Sequence, residues 1–479
     1  MVATLLKETE PVEELERKDI QGILLSSYSH LYWAFYVLLE VREPVAARSG
    51  LAAIIDKITS AQGKEEGASV NVALTCTGLR KLGLDKGALD SFPIAFREGM
   101  SSEHRAHILG DTGESAPSEW TWGSADKPVD ILLMLFAPDE TKVNAQLDQA
   151  RALFPANGVV QIPPLLAAQR YPDNREHFGF ADGIGQPVIE GSGRLERQLK
   201  RTGHATEIKA GEFILSYINE YGLPSDSPAV DLARDPRRIL PANASGGGDL
   251  GRNGTYLVFR QMAQNVADFW QFLEESTRGL DGKSNPEARE RLAAKFVGRH
   301  RSGAPLVMAP EVDRPELGNN NNFGYAQSDP HGFACPFGAH TRRANPRDSI
   351  GDDPKEALAR ARRHRLLRRG RSYGPRAADP RGSDQEERGL HFICLNSDIE
   401  RQFEFVQQTW INNPVFDGLD GEVDPLVGDP KKGKGWLTIQ KDPVRERVHN
   451  LRRFVTLKGG AYFFLPGIRA LRYLSSLES

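Results

Sequence analysis

Residues 128–154, PVDILLMLFAPDETKVNAQLDQARALF, hold a strand and a helix in direct succession. The run from Ile131 to Phe136 is short and apolar and is stopped by Ala-Pro-Asp, the pattern of a strand buried in a sheet. Over 141–154 the apolar residues Val143, Leu147, Ala150 and Leu153 fall three or four apart, which predicts a helix packed by one face. Two earlier segments carry the same kinds of signal. LYWAFYVLLEV (31–41) is rich in aromatic and branched residues and reads as a strand. SVNVALTCTGLRKLGL (69–84) alternates first and then carries Gly78 and a helical tail. Strands and helices mix without a regular βαβ rhythm, so an α+β fold is expected rather than a doubly wound sheet.

The polar stretch EGSGRLERQLKRTGHATEIKAG (190–211) reads as a connector. It divides the chain into expected domains at 1–205 and 206–479. The second half repeats the strand-then-helix unit in GTYLVFRQMAQNVADFWQFLEES (254–276). A strand is expected over Tyr256–Arg260, then an amphipathic helix with Val266, Phe269, Trp270 and Leu273 on one side. RGLHFICLN (388–396) and RRFVTLKGGAYFFLP (452–466) read as further strands, and IERQFEFVQQTW (399–410) as a helix. The echo between the halves suggests a tandem of two similar modules.

Composition removes several classes of function. Lys and Arg total 61 against 64 Asp and Glu, a net charge of −3. That balance argues against a nucleic-acid partner, which needs a basic face. Cys76, Cys335 and Cys394 are the three cysteines, too few for a disulfide scaffold or a four-thiolate metal site. No CxxCH is present for covalent haem attachment. The opening residues, MVATLLKETEPVEELERKD, lack the basic start and apolar core of an export signal. The longest apolar run, Leu31–Leu39, falls well short of the roughly 20 residues a membrane span needs. A cytoplasmic protein without membrane contact is the expectation. GGGDLG (246–251) matches GxGxxG, but a loop precedes it and a strand follows, which excludes dinucleotide use. The basic run KEALARARRHRLLRRGR (355–371) reads, for most of its residues, as a solvated helix or an oligomer contact. DGLDGEVD (417–424) reads as a turn-rich surface loop, because Leu419 stands where a calcium loop needs a ligand.

Three short segments remain. HFGFADGIGQP (177–187) sets Asp182 among Phe178, Phe180 and Ile184, neighbours that disfavour a charged carboxylate. Asp-Gly is equally a common turn pair. CPFGAHTRRANPRD (335–348) puts His340 in a Pro/Gly-bounded turn before two arginines, and LLRRGRSYGP (366–375) puts arginines before another turn.

In this order the three segments resemble the dye-decolorizing peroxidase family, in its larger-chain branch. Its GxxDG signature is Gly179–Phe180–Ala181–Asp182–Gly183. DIQGILL (19–25), FREGMSSEHRAHILGDTGE (96–114) and GGAYFFLPG (459–467) also look like family segments. The resemblance implies two ferredoxin-like α+β domains with antiparallel sheets and a noncovalent haem b held mainly by the second. It assigns His340 as the axial iron ligand, Asp182 as the distal acid and Arg368 as the distal arginine. Arg368 has Arg369 as its neighbour, so the register could slip by one. Leu390 and Phe392 would line the distal side, and Arg342 would meet a haem propionate. Gly370 stands where some relatives carry a distal asparagine, so that side chain has no counterpart here. The implied reaction uses hydrogen peroxide to oxidise dyes, phenolics or other one-electron donors. Haem binding without turnover, or iron release from haem, is the competing reading. Bulky donors would give electrons at the surface through Trp410, Tyr373, Tyr462 or Trp270. An acid bonded to the His340 ring is expected on physical grounds, without a position. A homo-oligomer is left open.

Overall fold

The computed structural model describes residues 13–63, 67–382, 384, 386–430 and 434–477. Most of the segment on which the export-signal expectation rests, residues 1–12, lies outside the described residues. The central feature is a ten-stranded antiparallel sheet. Five strands come early in the chain: β1 (Trp33–Val41), β2 (Ser69–Leu74), β3 (Ile131–Ala137), β4 (Val159–Gln161) and β5 (Leu166–Gln169). Five come late: β6 (Thr255–Gln264), β7 (Leu367–Arg368), β8 (Arg371–Tyr373), β9 (Gly389–Asn396) and β10 (Val455–Leu465). Their order is β6–β10–β2–β3–β1–β5–β8–β9, and β9 pairs back onto β6. The sheet therefore closes into a ring. The early and late strands join where Phe464 faces Leu74 and where Ser372 faces Gln169.

The strands read as unbroken apolar runs because both faces are buried. Val37 and Leu39 on β1 share one core with Leu133 and Leu135 on β3, while Tyr36 and Leu38 share another with Leu132 and Met134. Helices α1 (Pro44–Ile55) and α2 (Glu140–Leu153) cover the first face with Leu51, Ile54, Val143 and Leu147. Asp139, part of the stop after β3, also caps α2 by accepting from Lys142 N at 2.8 Å. A third cluster joins α3 (Val266–Ser276) and α4 (Pro286–Val297) around Phe269, Phe296 and Phe454. Among the described residues, no helix is long and apolar enough to cross a membrane.

Two sequence expectations fail here. The basic run is helical only over Pro354–Arg363. Beyond it the chain turns inward, leaving Arg369 partly buried and Arg371 almost wholly buried against backbone carbonyls: Arg369 Nε donates to Ile23 O at 2.7 Å and Arg371 Nη2 to Tyr28 O at 3.0 Å. DGLDGEVD is also not a surface loop, since Glu422 and Asp424 are 2% and 1% exposed. Hydrogen-bond acceptors draw both in: Glu422 takes Thr438 N at 2.7 Å, and Asp424 takes Leu426 N and Val427 N at 2.9 Å each.

Candidate active site

The segment after β5 is fixed by its aromatic residues. Phe178 and Phe180 pack into the α3–α4 cluster, Phe178 against Phe269 with 4.6 Å between centroids. Glu176 accepts from Phe178 N and Phe180 N, each at 2.8 Å, and Gly179 turns the chain at φ +97°. Asp182 lines a cavity of about 300 Å³ together with Phe178, Phe180 and Ile184. Its side chain is 47% exposed, so these apolar neighbours border it without enclosing it. Asp182 Oδ1 accepts from Gly183 N at 2.6 Å and lies 3.3 Å from Arg368 Nη2. Arg368 is placed by β7, whose pairing with β9 sets it opposite Cys394, and by Gln186 Oε1, which accepts from its backbone N–H at 3.1 Å. Arg369, next along, points instead to the carbonyls of Ile23 and Leu24 and does not line this cavity. Leu390 and Phe392 on β9 face the cavity, and the alternation of the strand sends His391 the other way into the core.

His340 also lines the cavity, at the start of the short helix His340–Ala344. Its Nδ1 is 2.8 Å from Asp424 Oδ2. Burial alone would lower the imidazole pKa, but the Asp424 charge and hydrogen bond outweigh it and the net shift is upward. Asp424 is held below the usual carboxylate range, because His340 and the N–H groups of Val427 and Leu426 outweigh its burial. The pairing commits Nδ1 to the carboxylate and leaves Nε2 for the cavity. Asp424 is the acid the sequence reading could not place. It comes from the loop misread as a surface turn, 84 residues away.

The arginines after His340 anchor its helix. Arg343 donates to Trp410 O and Glu422 O, both at 2.8 Å, which ties the helix to the loop bearing Asp424. Arg342, expected at a propionate, does not line the cavity. It is completely buried, donates to Asp329 Oδ2 at 3.0 Å and lies between the rings of Tyr325 and Phe337, each 4.4 Å away. Other guanidinium groups do line the cavity: Arg299, Arg347 and Arg365, which sequence reasoning missed. Their acceptors are largely neutral, such as Gly303 O for Arg299 at 2.7 Å and Phe323 O for Arg347 at 2.7 Å. Burial, reinforced by Arg347, brings Arg299 down to about 10 and Arg365 down to about 9. This concentration of positive charge favours an anionic group in the cavity. Arg347 closes the same HTRRANPRD run as His340, and Arg365 precedes LLRRG, so proximity in sequence was the available signal. The four aromatic residues considered for electron transfer, Trp410, Tyr373, Tyr462 and Trp270, are all buried at 2–8% exposure.

No family model matches the chain. The multifunctional dye peroxidase DyP2 of an Amycolatopsis species is 31% identical over 443 residues, spanning 87% of this chain and 84% of the relative. The chain belongs to the dye-decolorizing peroxidase family. The dye-decolorizing peroxidase of Mycena epipterygia is 30% identical, spanning 85% of this chain and 76% of its own. The crystal structure of a DyP-type peroxidase from Auricularia auricula-judae superposes with a TM-score of 0.77 at 25% identity, over 97% of this chain and all of that one. The fold is thus the family's α+β arrangement of ferredoxin-like units, and the enzyme class is peroxidase. Haem is the group that a dye-decolorizing peroxidase implies. The cavity suits it, with an imidazole whose Nε2 is uncommitted, apolar walls from Leu390, Phe392, Phe403 and Leu426, and arginines at its border.

Proposed function

We propose that the protein is a haem b peroxidase that uses hydrogen peroxide to oxidise phenolic, dye-like or other one-electron donors. The observation that carries this reading is that the cavity has His340, backed by Asp424, together with the Asp182–Arg368 pair on its wall. His340 Nε2 would hold the iron, and Arg347 and Arg365, in place of Arg342, would meet the propionates. Leu390 and Phe392 would keep water from the distal side. Bound haem supplies an iron centre that accepts an oxygen of the peroxide and stores its two oxidising equivalents. Asp182 takes the proton from one peroxide oxygen and returns it to the other, so that water leaves. Oδ1 is engaged by Gly183 and Arg368, which makes Oδ2 the atom that carries the proton. Arg368 stabilises the negative charge that gathers on the departing oxygen, and as a permanent cation it cannot itself trap the proton.

The domain division at 1–205 and 206–479 fits this reading. His340, Arg347, Arg365 and Arg368 would come from the second part and Asp182 from the first. Turnover tests the proposal. The haem-loaded protein should oxidise a phenol only when peroxide is present, and His340→Ala should abolish this. Release of chelatable iron from haem with no oxidised donor would support the iron-release reading instead.

A further inference from the structure

Glu176 lines the cavity, and among the described residues Asp182 is the only other carboxylate that does so. Both of its oxygens are used by neutral donors. Oε1 accepts from Phe180 N at 2.8 Å, and Oε2 accepts from Phe178 N at 2.8 Å and from Gln264 Nε2 at 2.7 Å. Among the described residues no cation is paired with it. The arginines of the surrounding elements are committed elsewhere: Arg260 to Asp111 at 2.5 Å, Arg388 to Asp384 at 2.6 Å, and Arg175 to Gly179 O at 3.1 Å. An anion placed this way is costly, since burial and the like charge of Asp182 both disfavour it. The position nonetheless needs a carboxylate. Three N–H groups converge on it, and a carboxylate accepts at both oxygens, whereas an amide would turn its own N–H groups towards a donor.

The three bonds hold the loop that carries Asp182. The loop has main-chain ties of its own: Glu176 N donates to Phe180 O at 3.1 Å, and Asp182 N to Asn174 O at 2.9 Å. The amides of Phe178 and Phe180 find their acceptor in the Glu176 carboxylate. Gln264 ends β6, where its N–H reaches Arg388 O at 2.8 Å, so the carboxylate ties the loop to the sheet. The Gln264 amide gives its N–H to Glu176 and leaves Oε1 buried without a partner among the described residues. We propose that Glu176 is the positioning residue for Asp182: it fixes the turn at 178–183 to β6, so that Asp182 stands 3.3 Å from Arg368. That Asp182 then acts on peroxide rests on the peroxidase reading above.

Hydrogen exchange read by mass spectrometry on the haem-loaded protein tests the anchoring, and stopped flow with peroxide tests its effect. Glu176→Gln should keep the Soret band, speed exchange of the amides at 177–182 about tenfold and leave β9 unchanged. It should slow the reaction with peroxide about 10–100-fold, as a displacement of about 1 Å at a reacting group does. Combined with Asp182→Asn it should add less than about twofold, because a positioning residue has no effect once the group it positions is gone. A general loss of structure would slow both backgrounds alike. Gln264→Leu keeps the Glu176 charge but releases the carboxylate from β6. It should slow the reaction about threefold to tenfold, and it serves if Glu176→Gln does not fold. Unchanged exchange in Glu176→Gln, equal slowing with and without Asp182→Asn, or full speed in Gln264→Leu would overturn the inference. A rate indifferent to Asp182→Asn would instead sink the proton-carrying role of Asp182, while the exchange still decides the anchoring.

Discussion

Asp424 Oδ2 and His340 Nδ1 form a buried pair whose two members titrate in opposite directions. The histidine pKa is raised, so its contribution to stability is complete below its ordinary value and is lost as pH rises through the raised one. The aspartate pKa is lowered, so its contribution is present above the ordinary carboxylate value and is lost as pH falls through the lowered one. In haem-free protein, Asp424→Asn should therefore cost most stability between about pH 4 and about pH 6.5, with the gap to wild type closing on either side. Urea midpoints across that range check this, and a gap independent of pH would show that the pair carries no charge. In the haem-loaded protein the same substitution should weaken haem retention about 10–100-fold, measured by transfer to an apo-globin. Arg368→Leu and Asp182→Asn should keep haem but slow the reaction with peroxide about 10²–10³-fold in stopped flow. Three of these residues were legible because each sits in a short contiguous motif. Asp424 was not, because its loop has the Gly/Asp content of a solvated turn and its partner lies 84 residues away. Arg342 misled for the opposite reason. In a five-residue helix, a position two beyond His340 faces away from it, towards Asp329.

Strands β6 and β9 tie the site to the rest of the sheet. Leu390 and Phe392 reach the cavity from β9, and Arg260 reaches it from β6. Arg260 is ion-paired with Asp111, at 3.1 Å and 2.5 Å, and both side chains are almost wholly buried. Nearby, Arg105 joins Glu404 at 2.8 Å, and Tyr462 on β10 donates to the same carboxylate at 2.8 Å. These contacts bind the early part of the chain to the late part. Asp111→Ala leaves a buried guanidinium without its counter-ion and should cost about 3–5 kcal/mol in urea unfolding. A loss under about 1 kcal/mol would mean that Arg260 is resolvated or re-paired. The strands themselves were readable, because burial of both faces makes their apolar runs continuous. Closure of the ring was not, since each junction rests on one residue pair, Phe464 with Leu74 and Ser372 with Gln169, and neither carries a sequence signal.

Across the whole molecule, a net charge near zero conceals strong segregation. The catalytic cavity is bordered by arginines, and among the described residues the cavity beside it is lined by nine arginines against three carboxylates. Composition could not reveal this, because it averages over positions that the fold separates. The proposed proton carrier is a carboxylate, a weaker class of base than an imidazole. Peroxidase turnover should therefore extend to more acidic pH than a histidine base would allow. A bell centred near neutrality would implicate a histidine instead. The most direct test of the account is an absorption spectrum of the haem-loaded protein, taken before and after one equivalent of hydrogen peroxide. The account predicts a Soret band that His340→Ala loses or shifts, and a rapid peroxide-dependent change that Arg368→Leu slows. No Soret band in the wild-type protein, or one indifferent to both peroxide and His340→Ala, would contradict it.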